Sequence, residues 1–272
     1  MVKISILKRD NYNLQFVIED IDSVLANTIR RALISEVPVM AIHEVIFFKN
    51  SSSLFDEIIA HRLGLIPLKT ILKKYYPVDL CPNCNGKGCS SCQVRFTLQK
   101  QAIDTPVLVT SGDLISEDPE ISPLSSNIPI VLLNPGESLE LEAIAQLGYG
   151  KHHAKWQPVS CAAYGYVPEI IINSSKCTLC GKCIEACPQK ILAIENTNLT
   201  VNNWSKCIVC RECINACERE AIDVVLHNDK FIFTIESVGA LDVSDIFKIA
   251  IDTLTDKFNK IISKIKEIVI NQ

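Results

Sequence analysis

Eight cysteines in two matching groups constrain this chain more than any other feature. Cys177, Cys180, Cys183 and Cys187 have the spacing C-x2-C-x2-C-x3-C, and Cys207, Cys210, Cys213 and Cys217 repeat it 30 residues later. The surroundings repeat too. Lys176-Cys177 returns as Lys206-Cys207, and Cys183-Ile-Glu-Ala-Cys187 returns as Cys213-Ile-Asn-Ala-Cys217. An apolar, strand-like run follows each copy, at Ile191 to Ile194 and at Ala221 to Leu226. Two copies of one supersecondary unit explain the pattern. The repeat covers about 51 residues, a size at which a fold is marginal without a staple.

Three cysteines close together on a tight loop can hold three irons of a cubane, and a fourth on the following helix points back toward the other loop. Cys217 therefore completes the cluster of Cys177, Cys180 and Cys183, and Cys187 completes that of Cys207, Cys210 and Cys213. This is the bacterial two-cluster ferredoxin signature. Pro188 follows the first motif, whereas Glu218 stands where the second proline would be. Two zinc sites would instead pair short C-x2-C knuckles across a longer gap, which three cysteines at i, i+3 and i+6 do not do. Two [4Fe-4S] clusters with a structural role are the expectation.

A third group has the knuckle form. Cys81-Pro-Asn-Cys84 and Cys89-Ser-Ser-Cys92 enclose Asn85, Gly86 and Gly88, which suit a tight reversal. Four thiolates so placed can surround one tetrahedral, structural Zn2+; one or two disulfides are the alternative. Cys161 is the thirteenth cysteine and stands alone as a core filler. Export is not expected, because MVKISILKRDNYN lacks the apolar core of a secretion signal. With no apolar run long enough to span a membrane, the expected location is the cytoplasm. Net charge is −4 and hydrophobic content 48%, so the sequence reads as a globular protein whose main task is not gripping bare nucleic acid.

Around the cysteines the chain reads as α+β. Val2 to Leu7 and Leu14 to Ile18 are expected strands about a polar turn. Asp22 or Ser23 caps a helix with the stripe Leu25, Ile29, Ala32 and Leu33, which Pro38 ends. Val39 to Phe48 reads as a strand. Ser53 and Asp56 suggest a capping box for a helix carrying Phe55, Ile58, Ile59 and Leu63, stopped by Gly64 and Pro67. Residues 111–135 are rich in turn formers and read as irregular. After a strand at Phe231 to Ile235, a helix from about Ser244 to Ile270 carries Ile246, Ala250, Leu254, Phe258, Ile261, Ile265 and Ile268. That stripe, roughly 40 Å long, needs a partner in this chain or another.

Gly148-Tyr-Gly150-Lys151 hints at a phosphate loop but lacks the full glycine pattern. His152 and His153 are adjacent, so their side chains point apart. No carboxylate pair, Ser-His arrangement or catalytic thiol is evident, and no catalytic residue is expected. A two-cluster electron-transfer protein, or a subunit of an oxidoreductase, is the competing reading, although no flavin or nicotinamide motif accompanies the clusters.

Four stretches resemble the polymerase family of bacterial alpha, archaeal D and third-largest eukaryotic subunits. They are Asn27-Thr-Ile-Arg30-Arg31-Ala-Leu with Glu36-Val-Pro38-Val-Met-Ala-Ile; Asp56-Glu57-Ile-Ile-Ala60-His61-Arg62-Leu-Gly64-Leu-Ile-Pro67; Gly148-Tyr-Gly150-Lys-His-His153-Ala154-Lys155-Trp156-Gln-Pro158-Val; and Phe233-Thr-Ile-Glu236-Ser237-Val-Gly239. The ferredoxin-like insert points to the archaeal D branch. The resemblance implies a discontinuous alpha-like dimerisation domain at 1–43 and 228–272. It also implies a mixed, β-rich insert domain at 44–168 with the four-cysteine loop, and a ferredoxin-like (βαβ repeat) unit at 169–227. It implies a non-catalytic assembly platform of an archaeal DNA-dependent RNA polymerase. Such a subunit pairs with subunit L, then recruits the second-largest subunit, small subunits N and P, and finally the largest subunit, while DNA contact and catalysis belong to the large subunits. Arg30, Arg31, His61 and Arg62 lie in motifs that meet neighbouring subunits in that family. Leu254 and Ile261 are the dimerisation candidates on the long helix.

Overall fold

The computed structural model describes residues 2–270, with the backbone alone for the last two. Met1, Asn271 and Gln272, the outer ends of the expected dimerisation segments, lie outside the described residues. Strands β1 (Lys3–Arg9) and β2 (Asn13–Glu19) are joined by a turn that Asp10 organises. Its carboxylate accepts N–H bonds from Tyr12 and Asn13 at 2.9 and 2.7 Å. Helix α1 (Ser23–Ser35) begins where Asp22 accepts from the Leu25 N–H at 2.7 Å, the cap that the sequence suggests. Ala26, Ile29, Ala32 and Leu33 form its buried stripe, while Leu25 stays exposed.

Strand β3 (Pro38–Asn50) and helix α2 (Asp56–Gly64) follow. The capping box expected at α2 does not form. Its N-cap is Phe55, without a side-chain bond, because the Asp56 carboxylate accepts from the Asn50 amide at 2.7 Å and Ser52 bonds to the same Asn50. Strands β4 (Gln93–Gln101), β5 (Val107–Thr110), β6 (Ile115–Ser116), β7 (Pro129–Leu133), β8 (Ser138–Tyr149) and β9 (Val159–Ile172) come next. The stretch 111–135 is more regular than its turn formers suggest: β6 pairs with β4, and β7 pairs with β5 from Val107↔Leu133 to Thr110↔Pro129. Helix α3 (Lys182–Ala186), hairpin β10 (Leu192–Glu195) and β11 (Asn198–Val201), helix α4 (Glu212–Asn215), strand β12 (Ile222–Ser237) and helix α5 (Val243–Ile270) complete the chain. The expected strands at 221–226 and 231–235 are one continuous β12.

The chain divides into two compact units. One comprises 2–8, 15–28 and 163–234; the other comprises 9–14, 29–162 and 235–270. The first unit's sheet has the order β1-β2-β12-β9. Phe16 and Phe233 stack within it at 5.2 Å between centroids, and Tyr164 meets Phe231 edge-on at 5.5 Å. The same unit carries the cysteine repeat. There the core is Ile191, Leu192 and Ile222 packed around Cys183 and Cys187, so cysteines are a large part of what is buried.

The second unit is built on a sheet of order β3-β8-β4-β6. Phe96, Leu98, Met40, Ile42 and Leu141 project from it onto Ile59 and Leu63 of α2. The β3–β8 ladder shifts register between Ile42 and Glu44, which leaves His43 as a bulge residue. At the end of β8 the two glycines answer a packing need. A Cβ on Gly148 would lie 2.3 Å from the Trp156 ring, and one on Gly150 would lie 2.1 Å from the Ile34 carbonyl oxygen. This explains the glycine pair without a phosphate.

Candidate metal centres and an exposed apolar helix

The backbone of the cysteine repeat obeys the same period as its sequence. Leu179 and Val209 have φ of 56° and 57°, Gly181 and Arg211 have 78° and 63°, and Lys190 and Glu220 have 49° and 47°. Left-handed residues between cysteines turn successive N–H groups inward and make a concavity suited to an anionic group, an arrangement that recurs at iron–sulfur sites. Such a conformation is strained for L residues, most of all for β-branched Val209. The loops adopt it in both copies.

The structure sorts the eight cysteines into two quartets. Cys177, Cys180, Cys183 and Cys217 line one cavity of about 200 Å³, and Cys187, Cys207, Cys210 and Cys213 line another. Each quartet thus has three thiols from one motif and one from the other. Burial pushes the Cys183 and Cys213 thiols up, and neighbouring sulfurs add to it: Cys217, Cys177 and Cys180 around the former, Cys187 and Cys207 around the latter. The Ala221 N–H also donates to Cys217 Sγ at 3.3 Å. Glu218, at the missing proline, accepts from Lys182 Nζ at 2.6 Å and so links the end of the second motif to the first loop. Only the substitution for proline hints at this bridge in the sequence.

Cys81, Cys84, Cys89 and Cys92 form a separate cluster, with all four sulfurs within 4.8 Å of one another, that could hold a metal ion. The Cys81–Cys89, Cys84–Cys92 and Cys89–Cys92 separations are 3.7, 3.7 and 3.8 Å. A tetrahedral zinc with Zn–S bonds of about 2.3 Å sets its sulfurs about 3.8 Å apart, so the donor set fits. All four are free thiols, and these separations exceed a disulfide bond of about 2.05 Å. Burial pushes Cys92 up to about 12. At Cys84 the effect of burial is overcome by hydrogen bonds from Cys81, the Gly88 backbone, Cys92 and Cys89, which bring the thiol down to about 7. Sulfurs this close cannot all ionise without a cation among them.

Helix α5 changes character along its length. Val243, Ile246 and Ala250 are fully buried and Leu254 is half-buried, but Phe258, Ile261, Ile262, Ile265 and Ile268 are exposed. The helix leaves its own core after about four turns and carries its apolar stripe onward uncovered. Strand β1 is exposed along its whole length, and Ile4 and Ile6, with Val2 just before it, set apolar side chains at alternating positions. The sequence pattern did not mark β1 as exposed. Of the other expected interface residues, Arg30 is half-buried and Arg31 exposed on α1. His61 and Arg62 are exposed on α2, and Arg62 Nη1 donates to the Ile130 carbonyl at 2.7 Å, tying α2 to β7. No described helix is long and apolar enough to cross a membrane.

Residues 15–258 match the family model of the RNA polymerase Rpb3/Rpb11 dimerisation domain. The chain is 44% identical to DNA-directed RNA polymerase subunit Rpo3 of Archaeoglobus fulgidus, covering 98% of this chain and 100% of that one. It is 42% identical to the Rpo3 subunit of Methanothermobacter thermautotrophicus, over 96% and 97% of the two chains. Against that of Pyrobaculum aerophilum it is 37% identical, over 95% and 94%.

Proposed function

The chain belongs to the RNA polymerase Rpb3/Rpb11 dimerisation family, and from that premise we propose that it is the assembly-platform subunit of an archaeal DNA-directed RNA polymerase. It is non-catalytic. Its task is to present surfaces on which other subunits build. The observation that carries this reading is the exposed half of α5, whose five apolar side chains stay about half exposed among the described residues. A face of that length and shape fits a helix of an Rpb11-type (L) subunit packed alongside it. The exposed β1 residues offer a second apolar surface. Subunits N and P and the second-largest subunit would join that heterodimer, and the largest subunit last, with α1 and α2 presenting Arg30, Arg31 and His61 toward them. Membership of the family across 15–258, a span that includes the cysteine repeat, counts against an electron-transfer protein.

Within the platform, we propose the domain plan given by the sequence: 1–43 and 228–272 for dimerisation, 44–168 as the insert, 169–227 as the ferredoxin-like unit. Cys177, Cys180, Cys183 and Cys217 would hold one [4Fe-4S] cluster and Cys187, Cys207, Cys210 and Cys213 the other. Cys81, Cys84, Cys89 and Cys92 would hold zinc, closed to substrate. What these groups supply is cross-linking of segments too small to hold themselves in place. The repeat's short core and its left-handed loop residues both call for such a staple. Cytoplasmic location follows from the role. The test is to mix the full chain, purified without oxygen, with an Rpb11-type subunit and then with the second-largest subunit, and to follow complex mass. A stable 1:1 heterodimer that then takes up the large subunit is expected; a chain that stays alone contradicts the proposal.

A further inference from the structure

A pocket with no cysteine in its lining lies in the second unit. It has a volume of about 170 Å³ and is lined by His43, His61, His153 and Lys155 with the apolar walls Val45 and Leu65. Two devices build it. The β3 bulge re-aims His43 out of the ladder. The turn after β8 sets Lys155, whose ammonium lies 4.5 Å from the centre of the Trp156 ring.

The hydrogen bonds fix what the pocket offers. Lys155 Nζ donates to the Ile42 carbonyl at 3.0 Å and lies 3.3 Å from His43 Nδ1. An ammonium has no lone pair, so His43 Nδ1 must accept, and the proton of neutral His43 sits on Nε2. Burial and the Lys155 charge outweigh the nearby Glu44 carboxylate and keep His43 below its ordinary value, which agrees with that form. His153 Nδ1 accepts the Lys155 backbone N–H at 3.1 Å, so its proton too sits on Nε2. Two imidazole N–H groups and the third N–H of Lys155 remain, beside the exposed His61. The pocket is a set of donors around one cation, with no carboxylate among its lining residues.

We propose that this pocket is a carboxylate receptor, in which an aspartate or glutamate side chain of another polymerase subunit is bound by Lys155, His43 and His153. A single positive charge matches a carboxylate monoanion better than a phosphate dianion. The flanking surface argues for a protein segment: Phe55, Ile58 and Leu65 are exposed along α2 with His61, at spacings of three and four that put them on one helical face. An acidic segment with apolar neighbours is the occupant such a surface recognises. The inference rests on the platform role proposed above.

The test uses the full chain assembled with its polymerase subunits. A water-soluble carbodiimide activates a carboxylate, the Lys155 amine displaces the urea to give an amide, and peptide mass spectrometry locates the bond. An amide between Lys155 and an Asp or Glu of another subunit supports the proposal. Lys155→Met should leave pairing with the Rpb11-type subunit intact and weaken uptake of the remaining subunits roughly ten- to a hundredfold, the range for a lost charged hydrogen bond. Lys155→Arg should restore part of it. If Lys155→Met does not fold, His61→Ala, on an exposed position of α2, reads the same step with a smaller loss. Equal acetylation of Lys155 by acetic anhydride in the free chain and in the polymerase overturns the proposal, as does protection of the free chain from acetylation by inorganic phosphate with no inter-subunit amide. If the wild-type chain takes up no polymerase subunit, the platform reading itself fails.

Discussion

Replacing Ile261 and Ile265 on α5 by alanine separates a partner-facing stripe from an ordinary core helix. The two side chains are 53% and 55% exposed in the isolated chain. Full burial of an isoleucine is worth about 1.5–3 kcal/mol, so covering the remaining half recovers roughly 1 kcal/mol for each. The double substitution should therefore remove about 2 kcal/mol from heterodimer formation, or roughly a 30-fold rise in Kd. Ile261→Asp should do more, because an unpaired charge would be buried at the contact. Folding of the free chain should hardly change, since alanine is a better helix former than isoleucine and neither position is buried. Ile246 supplies the contrast. It is fully buried, so Ile246→Ala should cost about 2–4 kcal/mol in the free chain itself. Leu254, half-buried at the crossover, should affect both readouts. Calorimetric titration with an Rpb11-type subunit measures Kd, and thermal unfolding of each free variant measures stability. An unchanged Kd for the double variant, or a fall in free-chain stability as large as that of Ile246→Ala, would refute the argument.

Cys183→Ser should remove iron from the repeat and loosen the 169–227 unit while leaving the 1:1 heterodimer intact, read by iron analysis and gel filtration without oxygen; loss of the heterodimer would contradict the domain plan. Cys92→Ser should abolish the binding of about one zinc per chain, checked by elemental analysis and by absence of the Zn–S shell near 2.3 Å in X-ray absorption. Arg211→Gly relieves a left-handed residue at the place where the other copy has Gly181, and should stabilise the cluster-loaded chain by about 1 kcal/mol in thermal unfolding. Glu36 is bound by Lys257 at 2.6 Å and Lys151 at 3.2 Å. Burial raises its carboxyl, but the two lysine hydrogen bonds outweigh that and lower it. A depressed folded pKa contributes stability above the unfolded carboxylate range and loses it as pH falls through the lowered value. Glu36→Gln should thus be less stable at neutral pH by at most about 1 kcal/mol, because both lysines are largely exposed, and indistinguishable in strong acid. A difference that grows on acidification would contradict it.

The cysteine groups were readable because their spacing is local. Three cysteines within seven residues must share a loop, and the structure adds that the same left-handed positions recur in both copies. The stripe of α5 was readable for the same reason, but periodicity says only that a face is apolar. Where cover ends, near Phe258, depends on the rest of the chain. The Gly148–Gly150 pair read weakly as a phosphate loop because two glycines signal close approach without naming what approaches; here it is Trp156 and the Ile34 carbonyl. At 111–135 turn residues concealed β7, which is held by pairing with β5 across the fold. The pocket of His43, His61, His153 and Lys155 had no signal as a unit, although His61, His153 and Lys155 stand in stretches singled out for other reasons. Its members come from three separate segments, and the bulge that turns His43 outward belongs to the β3–β8 register.

Native mass spectrometry of the full chain, purified without oxygen after co-expression with an Rpb11-type subunit, tests the central claim in one spectrum. The account predicts a 1:1 heterodimer whose mass exceeds the two polypeptides by two cubane iron–sulfur clusters and one zinc ion. A metal-loaded chain found alone or as a homodimer beside unbound partner would contradict it.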